Sequence, residues 1–268
     1  MRRTHPLVSL SLMALLAVAG SWTAIGFAQG QRGGGPQPPP VRVRIQQAQL
    51  KPEMVDTFQD LIKNEVVPAL KKAGVPWQWT FTNGIVGQGF TFIVVTPVTS
   101  YAQFDQPGPL QQALGPAGAA TFGKKLRETV VTTHAYIDTL RQDLSIMSNS
   151  GTPPALAVVQ VLQIVPGKGN EFTKVMTEEW LPLYKKAGWK DVWFYNRNFG
   201  GPPQVSQIRL IAKYADLDAP GVLAGMPPDQ IQAMLGRRNA VASLVATEIV
   251  RYVPDLSFGM PTMPKSTP

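Results

Sequence analysis

The chain has 268 residues, 44% of them hydrophobic and 16% charged, a composition with enough apolar matter to build globular cores. Its formal charge of +8 comes from 25 Lys and Arg against 17 Asp and Glu. Beyond residue 28 these charges are scattered, doubling only at Lys71-Lys72, Lys124-Lys125, Lys185-Lys186 and Arg237-Arg238, which argues against a nucleic-acid binder. The absence of cysteine excludes disulfides, thiolate metal sites, cysteine nucleophiles and lipidation on a new N-terminal cysteine.

In chain order, Met1-Arg2-Arg3, the apolar run Leu7 to Ala19 and the small residues Gly26 and Ala28 predict a Sec signal peptide over residues 1–28. Ser9, Ser11, Ser21 and Thr23 dilute the run, which favours cleavage after Ala28 over an uncleaved anchor. Losing Arg2 and Arg3 takes the charge from +8 to +6. The product is expected in the periplasm or outside the cell, with no membrane segment after cleavage. Residues 29–40 form a Gly/Pro-rich linker, 148–154 a second linker and 259–268 a Pro-rich tail, leaving two pieces, 41–147 and 155–258.

Each piece reads β-α-β-β-α-β. First strands run from Val41 to Gln49 and from Leu156 to Ile164, followed by helices from Pro52 to Ala73 and Asn170 to Ala187 that stop at Gly74 and Gly188. Trp77-Gln78-Trp79-Thr80-Phe81-Thr82 alternates with period 2, a half-buried strand. Its partners are Phe90 to Thr96 and, in the other piece, Val205 to Lys213, with turns at Asn83-Gly84 and Gly200-Gly201. Second helices cover Pro116 to Val130 and Asp229 to Ala242; last strands cover Thr133 to Leu140 and Val245 to Val253.

The pieces also match residue by residue. Glu65-x-x-Pro68-x-x-Lys71-Lys72-Ala73-Gly74 recurs 114 positions later as Glu179-x-x-Pro182-x-x-Lys185-Lys186-Ala187-Gly188. Gln46 and Gln160, Gln49 and Gln163, Phe58 and Phe172, and Trp79 and Trp193 keep that spacing. Asp105-x-Pro107-Gly108 returns as Asp218-x-Pro220-Gly221, and Asp143-Leu144-Ser145 as Asp255-Leu256-Ser257. The expected fold is α+β: two tandem ferredoxin-like modules, each with a bare sheet face that the other covers, forming one α+β barrel in cis.

Val165-Pro166-Gly167-Lys168-Gly169-Asn170-Glu171-Phe172 and Leu181-Pro182-Leu183-Tyr184-Lys185-Lys186-Ala187-Gly188 resemble the dimeric α+β barrel superfamily, especially its NIPSNAP and antibiotic-biosynthesis-monooxygenase-like branches. The first copy departs from that pattern, with Leu50-Lys51-Pro52-Glu53 in place of the Pro-Gly turn. The resemblance implies a fold and no single reaction, because the superfamily includes cofactor-free oxygenases, haem enzymes and isomerases.

Three sets of residues are candidates for chemistry. At ~100° per residue, Glu65 and Glu179 fall in the apolar stripes of the first helices, and Arg238 in that of the last. An ion pair between Glu179 and Arg238, mostly buried, is expected; the carboxylates are either structural partners near the kinks at Pro68 and Pro182 or acids with a raised pKa. Trp77, Trp79, Phe81, Trp193 and Tyr195 line either the ligand cavity or the helix-side core, with the alternation favouring the helix side. Gln78, Thr80 and Thr82 would then look into the barrel, and Gln46 and Gln160, which occupy matching positions in the two pieces, are further pocket candidates. His134 is the one histidine left after signal cleavage and the sole candidate haem ligand the resemblance suggests, a strand-end histidine being the plainer reading. No metal-ligand spacing and no nucleophile motif occurs, so no cofactor is expected. The leading function is an exported monomer or homodimer holding a small organic ligand. The alternatives are a cofactor-independent oxygenase or isomerase, and a protein-interaction module without ligand.

Overall fold

The computed structural model describes residues 40–148 and 150–261. The proposed signal peptide, the first linker up to residue 39 and the tail beyond residue 261 lie outside them.

Among these residues eight antiparallel strands close into a barrel. They are β1 (Arg42–Leu50), β2 (Trp79–Asn83), β3 (Thr91–Val98), β4 (Val130–Leu140), β5 (Leu156–Ile164), β6 (Val192–Phe199), β7 (Gln204–Ile211) and β8 (Ala242–Tyr252). Round the barrel the order is β1-β3-β2-β8-β5-β7-β6-β4. Thus β4-β1-β3-β2 comes from the N-terminal half and β8-β5-β7-β6 from the C-terminal half. Two seams complete the closure: Phe81–Asn83 against Val250–Tyr252, and Ile137–Leu140 against Tyr195–Phe199. Closure removes the exposed edges that β2 and β6 would otherwise present.

Helices cover the outside: α1 (55–72), α2 (Pro109–Thr129), α3 (169–186) and α4 (Pro228–Asn239). Strand parity sorts the apolar residues into three cores. Leu50, Phe58, Leu61, Val66 and Phe122 pack between β1–β3 and the first helices. Leu162, Phe172, Met176, Tyr184 and Met234 do the same in the other half. Val43, Trp77, Trp79, Phe81, Leu140, Trp193, Tyr195 and Val250 fill the barrel interior.

Two helix features depart from the sequence reading. In α1 the Val67 amide reaches back five residues to the Ile62 carbonyl, and in α3 the Leu181 amide does the same to Met176. Each π-type turn stands directly before a proline, Pro68 or Pro182, which has no N–H to give and crowds the carbonyl four residues back. The widened turn brings Val66 and Trp180 into the buried line and leaves Glu65 and Glu179 at the helix edge. Helix α2 starts earlier than expected, at Pro109, and breaks at Gly115, whose φ of 72° is left-handed, before Pro116 restarts it. The last strands β4 and β8 begin at Val130 and Ala242, earlier than expected, because the chain passes from helix straight into the sheet.

The repeated Asp-Leu-Ser segment turns out to cross between halves. After β4 the turn Gln142–Leu144 passes over β6: Ser145 Oγ accepts from the Phe194 amide at 2.9 Å, and Ile146 and Val192 exchange two backbone bonds. After β8 the turn Pro254–Leu256 passes over β2: Ser257 Oγ accepts from the Thr80 amide at 2.9 Å, and Gln78 and Phe258 exchange two bonds of 2.8 Å. Leu144, wholly buried, thereby joins the core of the C-terminal half, and Leu256, 1% exposed, joins that of the N-terminal half. Gly259, at φ 65°, completes the second crossing against Pro76, where a Cβ would strike the carbonyl.

This crossing corrects the placement of the sheet faces. Gln78 and Thr80 do not look into the barrel; Gln78 Nε2 and Thr80 Oγ1 both donate to the Leu256 carbonyl, at 2.9 and 2.8 Å, beneath the crossing segment. The aromatic face points inward instead. Truncating either buried leucine, Leu144→Ala or Leu256→Ala, should cost ~2–5 kcal/mol in urea unfolding; a cost under ~0.5 kcal/mol, typical of a surface site, would mean the crossings are ornamental.

Candidate functional site at the barrel mouth

The barrel interior divides into an aromatic floor and a polar mouth. In the floor Trp79 stacks on Trp193 at 6.1 Å and 21°, with Phe81 and Tyr252 edge-on to Trp79. Above the floor, towards the end where β1 and β5 finish, the inward positions become polar. Val43, Ile45, Gln47 and Gln49 on β1 stand opposite Asp138, Tyr136, His134 and Thr132 on β4. Register therefore puts these β4 side chains in the lumen.

Asp138 has no exposed surface, and Arg197 from β6 reaches it across the seam, Nε to Oδ1 at 3.3 Å, with its own side chain 9% exposed. Arg197 also donates from Nη1 to Gln204 Oε1 at 2.7 Å and lies 3.6 Å over the Tyr136 ring. His134 stacks on that ring at 4.4 Å and places Nε2 2.6 Å from the Gly200 carbonyl. A line of contacts thus runs from buried Asp138 through Arg197 and Tyr136 to exposed His134. Burial raises the Asp138 carboxyl above its usual range, only partly offset by Arg197. Burial also pushes the neighbouring Tyr195 hydroxyl up, helped by the Asp138 charge, so it remains a proton donor. Asp138 Oδ2 and Trp193 Nε1 have no hydrogen-bond partner among the described residues.

Over this line opens a cavity of about 220 Å³ lined by Gln47, Gln49, Gln88, Thr91, Thr132, Thr133, His134 and Tyr136. Gln49 is committed to the wall, accepting from Thr91 Oγ1 at 2.7 Å and donating to the Gly89 carbonyl at 2.8 Å. Among the described residues the amides of Gln47 and Gln88 and the hydroxyls of Thr132 and Tyr136 have no hydrogen-bond partner and line this cavity.

Of the expected pocket residues, His134 lines this cavity. Gln46 and Gln160 point outward, one residue out of phase with the lumen, and Gln46 Oε1 accepts from Arg44 at 3.0 Å. Trp79, Trp193 and Tyr195 are in the lumen as packed floor. The expected Glu179–Arg238 pair does not form. Glu179 takes Arg237 in a two-pronged contact of 2.7 and 2.8 Å, while Arg238 lies 5.0 Å over the Trp180 ring. Glu65 makes the equivalent contact with Lys125 at 2.7 Å. Both pairs are half-exposed, a consequence of the π-type turn. Sequence reasoning missed Asp138, Arg197, Tyr136 and Gln47. An acid at an inward position of β4 was visible, but only with the sheet faces assigned correctly. Among the described residues no His, Asp and Glu cluster is set to hold a metal, and no helix is long and apolar enough to cross a membrane.

No protein-family model matches the chain, and no curated protein matches it in sequence. Solved structures do match in shape. An anthrone oxidase-like protein superposes with a TM-score of 0.56 at 10% identity, over 81% of this chain and 92% of its own. A candidate monooxygenase from Lactobacillus acidophilus NCFM gives 0.51 at 7% identity, over 81% and 95%. Another from Fusobacterium nucleatum subsp. nucleatum ATCC 25586 gives 0.51 at 11% identity, over 84% and 100%. The fold is that of the dimeric α+β barrels. Here a single chain completes it.

The two kinds of ion pair should respond differently to mutation. Glu179→Gln removes a half-exposed contact and should cost less than ~1 kcal/mol. Arg197→Met strands a buried carboxylate and should cost ~3–5 kcal/mol at neutral pH. Because the Asp138 pKa is raised in the fold, its contribution to stability is present at low pH and lost as pH rises through the folded value. The Arg197→Met deficit should therefore shrink on acidification, in melting curves recorded across the acid range; a pH-independent deficit would show that packing, not charge, is lost.

Proposed function

We propose that this is an exported protein that binds a small, polar, uncharged organic molecule in the barrel mouth. The supporting observation is the contrast within one lumen: a floor of packed aromatic rings, and above it a cavity whose uncommitted groups, among the described residues, are amides and hydroxyls. At about 220 Å³ it suits a ligand smaller than a drug-sized molecule, whose pockets run ~300–1,000 Å³. Export rests on the charged, apolar and small-residue layout of residues 1–28. We take the two halves to be one module used twice, after the matched motifs, the matched strand orders and the π-type turn before each proline. The Pro166-Gly167 turn before α3 supports a place near the NIPSNAP and antibiotic-biosynthesis-monooxygenase-like branches.

A second reading, a cofactor-independent oxygenase or isomerase, draws on Asp138. A buried carboxyl with a raised pKa and one unpartnered oxygen, set below the cavity lining, is suited to take a proton from a bound substrate by way of a bridging water. Two of the structural neighbours carry monooxygenase in their description.

Native mass spectrometry of protein isolated from its natural host should reveal a co-purified small molecule. Gln47→Leu with Thr132→Val should lower its affinity about tenfold or more while leaving the melting temperature unchanged. Retention of the molecule by the double variant would remove the mouth as its site. If Asp138 does chemistry, Asp138→Asn will keep the ligand but stop its turnover. N-terminal sequencing of the same material should begin at Gln29; an intact Met1 in a membrane fraction would mean an anchor.

A further inference from the structure

A second cavity of about 210 Å³ lies on the opposite, outer face of β4, where the β4–β6 seam meets the turn Tyr101–Asp105. Its walls are Phe104, Ile137 and Phe199, and its base is Arg44. Phe199 is 57% exposed and Phe104 48%, while Tyr101 braces Phe199 edge-on at 5.6 Å. Phe104, Phe199 and Tyr101 together form an exposed aromatic patch in place of single scattered side chains, the kind of surface that marks a ligand-binding groove.

The base supplies the charge that the occupant must answer. Arg44 is half-buried, and among the described residues its one side-chain bond is the neutral contact to Gln46. Its cross-strand neighbours on that face are Thr96 and Ile137, neither acidic. Arg42, next on the same face, is turned over the Tyr101 ring at 4.9 Å and adds positive field without neutralising it. Asp105, the acid of the adjoining turn, forms no ion pair among the described residues. Burial lowers the Arg44 pKa, the mark of a cation held out of water without a counter-ion. At the place 114 residues on, Val158 stands where Arg44 does. The nearby Arg209 is already spent, 4.1 Å over Trp189 and bonded to the Asp216 carbonyl. Among the described residues the equivalent place in the other half thus offers no uncommitted cation.

We infer that this outer cleft is a second ligand site, taking a small carboxylate with an aromatic body, its acid group on the Arg44 guanidinium and its ring between Phe104 and Phe199. A guanidinium fork matches a carboxylate in shape and charge, and the aromatic walls match a flat apolar body. Tyr136 is common to the linings of the two cavities, but no Lys or Arg lines the mouth, so a carboxylate finds its cation in the outer cleft.

The probe is sodium benzoate, titrated into the full chain and followed by the backbone amide shifts of Ala135, Ile137 and Gly200. We expect saturation with a Kd on the order of 1 mM, appropriate to so few heavy atoms. Arg44→Met should weaken it about tenfold or more, and Arg44→Lys should weaken it less. Benzyl alcohol, the uncharged counterpart, should bind far more weakly, and inorganic phosphate should not compete. If Arg44→Met does not fold, Phe199→Ala at an exposed position serves, with loss of affinity expected. The inference is overturned by no saturation at ~10 mM benzoate, about tenfold above the expected Kd. It is overturned equally by unchanged affinity in Arg44→Met, by phosphate binding as well as benzoate, or by shifts centred on Gln47 and Thr132 in place of the cleft.

Discussion

Eight strands closed into a barrel leave an interior just wide enough for side chains to fill, and that width governs what this molecule can do. Large residues placed anywhere along the lumen consume it. Trp77, Trp79, Phe81, Trp193, Tyr195 and Tyr252 pack together in the lower lumen. Where the inward positions shorten or turn polar, at Gln47, Gln49, Thr91 and Thr132, a cavity opens. The location of the mouth cavity is therefore decided by where the aromatic residues stop. The ion pair between Asp138 and Arg197 marks that boundary. It is costly to bury and is held by contacts from three strands, Arg197 lying against Asp138 and Tyr136 of β4 and Gln204 of β7.

The outer layer obeys a different constraint, set by two prolines. Each interrupts its helix one turn before the end, and the chain absorbs the fault by widening the preceding turn. The acid in that turn, Glu65 or Glu179, is rotated off the core and meets a cation on the neighbouring helix, Lys125 or Arg237. A buried charge is avoided by backbone geometry. That the same solution appears on both sides of the barrel makes it a property of the Glu-x-x-Pro sequence.

Much of the architecture was legible because repetition and alternation are backbone-level signals. The two β-α-β-β-α-β runs, the stops at Gly74 and Gly188, and the helix restart at Pro116 follow from residue types with strong local preferences. The site was less legible for a reason of parity. Period 2 says that Trp79 and Thr80 face opposite ways, but not which of them faces the lumen. Polar Gln78 and Thr80 suggested an inner, wet face; their partner is the Leu256 carbonyl, 176 residues or more away, and no local pattern announces it. The wrong parity put Gln78 and Thr80 in the lumen and hid Asp138 and Arg197, while Gln46 and Gln160 were picked out by the repeat, which carries no sign of which way a side chain faces. The helix phase failed likewise, since ideal spacing carries no sign of a widened turn.

The crossing segments have a consequence for how the chain reaches this state. The bond from Thr80 to Ser257 spans 177 residues, and the β2–β8 seam joins Phe81 to Tyr252. Bringing such distant segments together carries a large loop-closure entropy before any contact rewards it, which makes high contact order slow. During synthesis the N-terminal half emerges with β2 paired to β3 on one edge only and its core lacking Leu256, and it must wait for nearly all of the remaining chain. The half-made barrel is an open sheet with an uncovered aromatic face, the form in which a chaperone would meet it.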